Sequence, residues 1–186
     1  LRYLLSIAPA LRAFALGRNW QDSTIVLTQG LLDSFSEKQL SAVLAYNIAC
    51  VKKLNTVSFL VASSLVQFIL GLTLTLDRIV NWLIETKFVT FLFAPLCSLI
   101  LNFSVSKKSY FEADEYAAWL IGDPKDLAEA IWKLQAYSAT RPFEAPIHLA
   151  HIFIVNPLTT KGWYRYFHVQ PNISKRILKL VGYYPI

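Results

Sequence analysis

Two long uncharged apolar runs limit what this chain can fold into. Val57–Leu76 holds 20 residues without a formal charge and Phe88–Val105 holds 18. A helix rises about 1.5 Å per residue, so the first run is about 30 Å long, the thickness of the hydrocarbon core of a bilayer. We predict two transmembrane helices at about 57–76 and 88–105, with a kink at Pro95. The alternative is a buried helical hairpin in a soluble core.

The overall composition favours contact with lipid. Hydrophobic residues make up 55% of the 186 residues and charged residues 16%. Typical globular chains have roughly 45–50% apolar and about 25% charged residues. The bilayer is therefore a predicted partner, and the protein is predicted to be an integral membrane protein.

The charges around the two runs predict their orientation. The segment 77–87 that joins them is short, so the two helices should form an antiparallel hairpin. Basic residues near helix ends favour the cytoplasmic side. The outer flanks carry four such residues and the connection carries two: Lys52, Lys53, Lys107 and Lys108, against Arg78 and Lys87. The polar remainder of the chain is therefore predicted to lie on the cytoplasmic side.

The net charge of +6 does not predict a nucleic-acid surface, because two of the three basic pairs flank the apolar runs.

Cys50 and Cys97 are the two cysteines, and Cys97 lies in an apolar run, so no disulfide is predicted. The chain begins at Leu1 and contains no methionine. We expect further residues upstream of it.

Around the hairpin, the pattern predicts a polar domain made mainly of helices. Ser23–Thr28 is rich in β-branched residues and predicts a strand. Ser36 and Gln39 form a capping box that predicts a helix to about Lys53. Three more helices are predicted later in the chain: Tyr110–Ile121, a helix from Pro124 to about Tyr137, and 171–180. Thr140–Pro157, with three prolines, has no predicted structure.

Five segments, in this order, resemble the HtpX-type membrane zinc metalloproteases, which are related to the CAAX prenyl endopeptidases. They are Arg12–Asn19 (RAFALGRN), Ile25–Ala45, Tyr46–Asn55 (YNIACVKKLN), Tyr110–Leu134 and Val169–Leu180 (VQPNISKRILKL). Each segment is weak alone, but their order and spacing are specific. The resemblance implies a single domain over 1–186: a mainly α membrane protein with a two-helix transmembrane hairpin inserted in a zincin-like helical domain that has a small β-hairpin or sheet.

The resemblance also implies where zinc chemistry would take place. The family's His-Glu-x-x-His motif puts two imidazoles one helical turn apart on one face, with the glutamate as general base. A glutamate from a later helix is the third zinc ligand. In this chain these positions fall on Tyr46 (first histidine), Asn47 (general base), Cys50 (second histidine) and Tyr110 (later glutamate).

These four side chains do not provide a zinc site. A phenol has a pKa near 10 and is a poor ligand at neutral pH, and asparagine cannot act as a base. Cys50 is a single ligand, and one ligand does not make a site. Glu112, two residues past Tyr110, would point away, whereas Asp114 matches an aspartate of the family motif. No metal or other cofactor is predicted.

A second metal set stays open. His148 and His151 are three residues apart and would share a helix face. With Cys50 or His168 they would make a relocated metal site, or one of them would bind a haem or pigment of a neighbouring protein. Otherwise they are two histidines at a membrane interface or in a polar contact. The chain has no Gly-x-Ser-x-Gly motif and no glycine-rich phosphate loop. The aromatic stretch Gly162–Val169 favours a membrane interface or a protein contact.

The four replacements predict a non-catalytic pseudoprotease, not an enzyme, that serves as a structural or regulatory subunit of a membrane protein complex. Other membrane proteins are thus predicted partners, and nucleic acid is not. Two alternatives remain. One is a module that binds peptides or membrane-protein segments without cutting them, with Thr24–Thr28 as a sheet edge. The other is a residual metal-dependent endopeptidase with a relocated metal.

Overall fold

The computed structural model describes residues 2–17, 21–53, 56–80, 88–104, 106–141, 147–157 and 169–182. The fold is mainly helical with one small sheet, as predicted. The elements in chain order are β1 (Arg2–Ser6), β2 (Ala13–Gly17), β3 (Ser23–Thr28), α1 (Gln29–Ser34), α2 (Glu37–Lys53), α3 (Thr56–Val80), α4 (Phe88–Ser104), α5 (Lys107–Ile121), α6 (Pro124–Thr140), a 3-10 helix (Ile147–Ile152) and α7 (Ile173–Val181).

The sheet has three strands in the order β1-β3-β2. β1 runs parallel to β3, with Arg2 opposite Thr24, and β2 runs antiparallel to it, with Ala13 opposite Leu27. β3 is therefore the central strand, and both of its sides are already hydrogen-bonded. The prediction that Thr24–Thr28 offers a free edge for a peptide is wrong, because a peptide strand can be added only to a strand with an unpaired side.

Helix α2 lies at the centre of the polar domain. It begins after a capping box in which Ser36 N donates to Gln39 Oε1 and Gln39 N donates to Ser36 Oγ, both at 3.3 Å. One face of α2 packs on the sheet, where Val51 contacts Ala15 and Ile25. Its other side packs on α5 and α6, and α7 closes this core against α5 and α6.

Of the later helices, α5 ends at Ile121 as predicted, whereas α6 extends to Thr140, beyond its predicted end near Tyr137. Gly122 ends α5 in the left-handed conformation with φ of 79°, which glycine adopts at little cost. Asp123 then caps α6 by accepting from Lys125 N at 2.9 Å, and Pro124 occupies the first turn. Asn172 caps α7 in the same way through Ser174 N. These caps fix the lengths of the helices that surround α2.

Helices α3 and α4 lie against each other and leave a large apolar surface. Small and medium apolar side chains fill the contact between them: Ala62, Val66, Leu70, Ala94, Cys97 and Leu101. Large apolar residues point outward, among them Phe68, Ile79 and Phe103, which are 72%, 70% and 87% exposed. Large exposed apolar patches are rare on soluble monomers and commonly mark contact with lipid or with another protein.

By length and hydropathy, the segment Leu60–Ile79 of α3 is able to cross a membrane. Helix α4 contains Pro95 and continues on both sides of it. Within the described residues, α4 reaches the required length only when it is taken together with α5. The second crossing of the predicted hairpin therefore stays a prediction, as does the orientation.

Asp77 ties the end of α3 to the start of α4. Its buried carboxylate accepts from Val89 N at 2.9 Å, from Thr90 N at 3.0 Å and from Thr90 Oγ1 at 2.6 Å. These amides belong to the first turn of α4, where helical N–H groups lack intrahelical partners and the helix dipole favours an anion. The carboxylate of one helix therefore caps the other.

Candidate functional site

The middle of α2 presents Tyr46, Asn47 and Cys50 to the core, all of them buried. Tyr46 and Cys50 are four residues apart and so lie one turn apart on the same helix face. The amide nitrogen of Asn47 already makes a hydrogen bond. Its Nδ2 donates to Val43 O at 2.8 Å, one turn back in the same helix. The three side chains thus lie close together in the core.

Helix α5 brings two more side chains to the same region. Tyr110 is fully buried and donates from its hydroxyl to His151 O at 3.2 Å. Asp114 follows one turn later and is also buried. Glu112 points elsewhere, as predicted, and pairs at 3.5 Å with Lys108 on the exposed side of the helix.

Arg176 on α7 is the largest fully buried side chain here, and it makes the strongest contacts of the site. Its Nε donates to Asp114 Oδ2 at 2.8 Å and its Nη2 to Asp114 Oδ1 at 2.7 Å, a bidentate ion pair. Nη1 donates to Ile154 O at 2.7 Å. Burial lowers the pKa of Arg176, but the Asp114 carboxylate has the opposite effect and the net shift is upward. The guanidinium is therefore a permanent charge.

The guanidinium also faces the aromatic ring of Tyr46, at 5.1 Å from the ring centroid. A cation over a tyrosine face is attracted by the ring quadrupole. The Tyr46 hydroxyl, by contrast, is buried and has no hydrogen-bond partner in the part of the chain that the structure describes. Burial raises the pKa of Tyr46 well above its ordinary value, so the hydroxyl stays neutral.

The thiol of Cys50 is neutral as well. Burial raises the pKa of Cys50 to about 12, against a smaller lowering effect of the nearby Tyr46 hydroxyl. This contact does not have the geometry of a hydrogen bond, and sulfur is a weak acceptor. At neutral pH such a thiol is almost entirely protonated. Thiolate is the form that binds metals and attacks carbonyls, so Cys50 is poorly suited to either role.

The second predicted metal set is not brought together by the described residues. His151 is buried, but its Nε2 lies 3.2 Å from Ser63 Oγ on α3, so this ring nitrogen joins the 3-10 helix to the apolar hairpin. The side chain of His148, all of His168 and most of the aromatic stretch Gly162–Val169 lie outside the described residues. Among the described side chains, no group of three or more His, Cys, Asp or Glu residues is placed to hold a metal ion.

Comparison with known proteins identifies the family. The profile of peptidase family M48 matches residues 2–183, nearly the whole chain. The chain belongs to peptidase family M48. No solved structure matches it.

Relatives of this M48 chain are named as proteases. A protease HtpX homolog of Desulfatibacillum aliphaticivorans is 30% identical over 93% of this chain and 60% of that protein. One from Methylibium petroleiphilum is 33% identical over 93% and 65%, and protease HtpX of Legionella pneumophila is 29% identical over 92% and 66%. The chain thus spans 60–66% of the lengths of these relatives. The resemblance to HtpX-type proteases is confirmed.

The prediction that this M48 chain is not an enzyme, but a pseudoprotease acting as a structural or regulatory subunit, is wrong. Its family is a peptidase family and its relatives carry the name protease, which points to a protease. The prediction rested on four side chains at positions assigned from a motif. The match extends over residues 2–183, and the identity of four side chains does not by itself show that proteolysis is absent.

The side chains at the predicted ligand positions nevertheless do not fit zinc. Structural and catalytic zinc sites take thiolate, imidazole or carboxylate ligands, and at least three of these come from the protein. Tyr46 and Tyr110 supply neutral phenols, and burial raises the pKa of both. Cys50 supplies a protonated thiol. No chemical step is therefore assigned to a metal at this place.

Tyr46→Phe is expected to leave the free energy of unfolding unchanged or to raise it by up to about 1 kcal/mol, because it removes a buried hydroxyl that lacks a partner. The ring and its contact with Arg176 are kept. Urea unfolding of the detergent-solubilised protein, followed by circular dichroism, measures the change. The matched variant is Tyr110→Phe, which loses the bond to His151 O and should lower stability by about 1 kcal/mol. A loss of that size from Tyr46→Phe would mean that its hydroxyl is bonded after all.

Two residues at the centre of the site were missed from sequence. The role of Arg176 was not predicted, although the spacing carries a signal: Ile173, Ile177 and Leu180 form the apolar stripe of α7, and Arg176 falls within it. A charge on an apolar stripe needs a buried partner. Gln170, the second, donates from Nε2 to Phe153 O at 2.6 Å. A lone glutamine before a proline gives no such signal.

Proposed function

We propose that the protein containing this chain is a protease that acts on polypeptides at a membrane. The observation that carries the proposal is the match to a peptidase family over residues 2–183, together with relatives named as proteases. The fold has two parts that suit this function. A polar domain centred on α2 carries the region where the family resemblance implies hydrolysis, and α3 and α4 carry an apolar surface suited to lipid.

The arrangement of α2, α5 and β2 supports a site for an extended polypeptide. Helices α2 and α5 lie side by side, and β2 packs across α2. The buried Asp114–Arg176 ion pair joins α7 to α5 next to this region. Substrates that are membrane-bound or partly unfolded fit a site next to an apolar hairpin, because their extended segments would be delivered at the bilayer surface.

Proteolysis is tested with the full-length protein in detergent micelles and, separately, in liposomes. The expected result is time-dependent cleavage of an unfolded soluble substrate such as β-casein. The full-length Legionella pneumophila protease HtpX, purified in the same way, is the positive control. Absence of cleavage by this protein under conditions where the control cleaves would overturn the proposal. A parallel reaction with a chelator reports whether any cleavage depends on a metal.

We further propose that α3 and α4 both cross the bilayer and that the polar domain lies on the cytoplasmic side. In a Cys50→Ala/Cys97→Ala background, single cysteines are placed at Lys53 before the hairpin, at Arg78 near its tip and at Lys107 after it. A membrane-impermeant maleimide added to sealed right-side-out vesicles should label Arg78→Cys and spare Lys53→Cys and Lys107→Cys until the vesicles are opened. Labelling of all three from one side would contradict the double crossing.

A further inference from the structure

We infer that the site between α2 and α5 holds no divalent metal ion. Only the side chains at the ligand positions differ from a zinc site, whereas the frame, meaning the backbone positions of α2, α5 and α7 that would hold zinc ligands, is complete. This inference concerns the chemistry of one site and does not depend on the proposed function. It would mean that any peptide cleavage by the protein does not run through zinc held by Tyr46, Cys50 and Tyr110.

First, the side chains at the three ligand positions are neutral. Tyr46 and Cys50 on α2 and Tyr110 on α5 are all buried. None of them is an anion or an imidazole, and burial disfavours ionisation of all three. Binding a dication would require at least one buried phenol or thiol to lose its proton, and Asn47, at the general-base position, has no basic group to accept it.

The second step is the carboxylate of Asp114, which lies one helical turn from Tyr110. Both of its oxygens accept from Arg176, at 2.8 and 2.7 Å. To bind a metal, Asp114 would have to leave a fully buried guanidinium without its counter-charge, which is strongly unfavourable. The nearest carboxylate is therefore committed to the ion pair.

The third step is the hydrogen bonding that already uses other polar groups of the site. The Tyr110 hydroxyl donates to His151 O, and the Asn47 amide donates to Val43 O. The hydroxyl of Tyr46 has no such bond in the described part of the chain, but as a neutral phenol it presents a proton rather than a charge. The groups that line the site thus offer a cation neither charge nor an open set of ligands.

The fourth step is the frame. Tyr46 and Cys50 have the four-residue spacing that puts two side chains on one helix face, and Tyr110 faces the same core from the adjacent helix α5. Arg176 fixes α5 and the Ile154 carbonyl relative to α7. Because these backbone positions do not depend on a metal, exchange of the side chains alone should be sufficient to make a zinc site.

The test compares the native protein with the quadruple variant Tyr46→His/Asn47→Glu/Cys50→His/Tyr110→Glu. Both are incubated with excess zinc, desalted and analysed for bound zinc per chain by mass spectrometry, and their Tm values are measured with zinc and with a chelator. We expect about zero zinc and no Tm difference for the native protein. We expect about one zinc per chain in the variant and a Tm that is higher with zinc than with the chelator.

Two outcomes would overturn the inference. One is about one zinc per native chain that is lost in Cys50→Ser or Tyr110→Phe, which would mean that these side chains hold a metal. The other is a folded quadruple variant that binds no zinc, which would mean that the frame is not complete. If the quadruple variant does not fold, the Tyr46→His/Cys50→His variant replaces it. Its visible cobalt spectrum should then show nitrogen ligation that the native protein lacks.

Zinc content is read independently of cleavage, so failure of this inference and failure of the proposed function are distinguishable. A native protein that cleaves casein without bound zinc supports both. One that cleaves and carries zinc at Cys50 and Tyr110 supports only the function, and one that neither cleaves nor binds zinc supports only the inference.

Discussion

Asp114→Asn is expected to lower the free energy of unfolding by about 3–5 kcal/mol, because it removes one partner of a buried ion pair. The substitution leaves the Arg176 guanidinium buried at 0% exposure with no counter-charge. The amide can replace at most part of the bidentate contact. Urea unfolding in detergent, followed by far-ultraviolet circular dichroism, gives the free energy.

The same two helices supply a matched control. Glu115 on α5 pairs with Lys179 on α7 at 2.7 Å, but both side chains are more than half exposed. Glu115→Gln should therefore cost less than about 1 kcal/mol. The double variant Asp114→Leu/Arg176→Met, which removes both charges, should recover most of the loss. Equal costs for Asp114→Asn and Glu115→Gln would contradict a buried, tightly coupled ion pair.

Tyr110→Ala is expected to lower the free energy of unfolding by about 3–5 kcal/mol, as other truncations of buried aromatic residues do. The ring is fully buried at the contact of α5 with α2, and its hydroxyl holds the 3-10 helix through His151 O. Truncation opens a cavity and removes this bond together. The same urea titration measures the loss.

The contribution of the ring is separated from that of the hydroxyl by Tyr110→Phe, for which the expected loss is about 1 kcal/mol. Trp119→Ala on the same helix is the control for loss of an aromatic side chain, because Trp119 is 72% exposed. It should change stability by about 0.5 kcal/mol or less. A Tyr110→Ala variant as stable as Trp119→Ala would mean that the ring does not pack in the core.

The helices of this fold could be predicted from sequence because their ends are encoded locally. The Ser36–Gln39 capping box and the Gly122-Asp123-Pro124 stop-and-start signal each act through hydrogen bonds within a few residues. α3 extends beyond its apolar run to Val80, past Asp77, whose charge lies buried against α4. The end of the uncharged run therefore did not mark the end of the helix.

Two of the three strands were not predicted, because contacts with other elements, and not their own sequences, determine them. β2 has the sequence AFALG, which lacks β-branched residues, and it is held by pairing with β3 and packing on α2. In β1, four of five residues are exposed, so no alternation of buried and exposed positions marks it as a strand. Both strands depend on the register with Ser23–Thr28, which no local pattern specifies.

The site was predicted in part. Tyr46, Cys50 and Tyr110 lie in one buried core and Asn47 is buried on the same helix as two of them, a placement that helical spacing and the order of the segments determine. The contact between Asp114 and Arg176 joins residues 62 positions apart, which spacing alone does not reveal. The inference from those four side chains to a lack of enzymatic function went beyond what ligand chemistry at one site can establish.

The position of Arg176 near the end of the described chain has a consequence for biosynthesis. Helices α2 to α6 all leave the ribosome before α7. The Asp114 carboxylate on α5 therefore has no counter-ion from Arg176 until α7 has been translated. Chains are made from the N-terminus onward at about 5–20 residues per second, so the 62 positions between Asp114 and Arg176 take seconds to translate. The buried contact between α5 and α7 therefore closes only when Arg176 arrives, well after the helices that it holds together have been made.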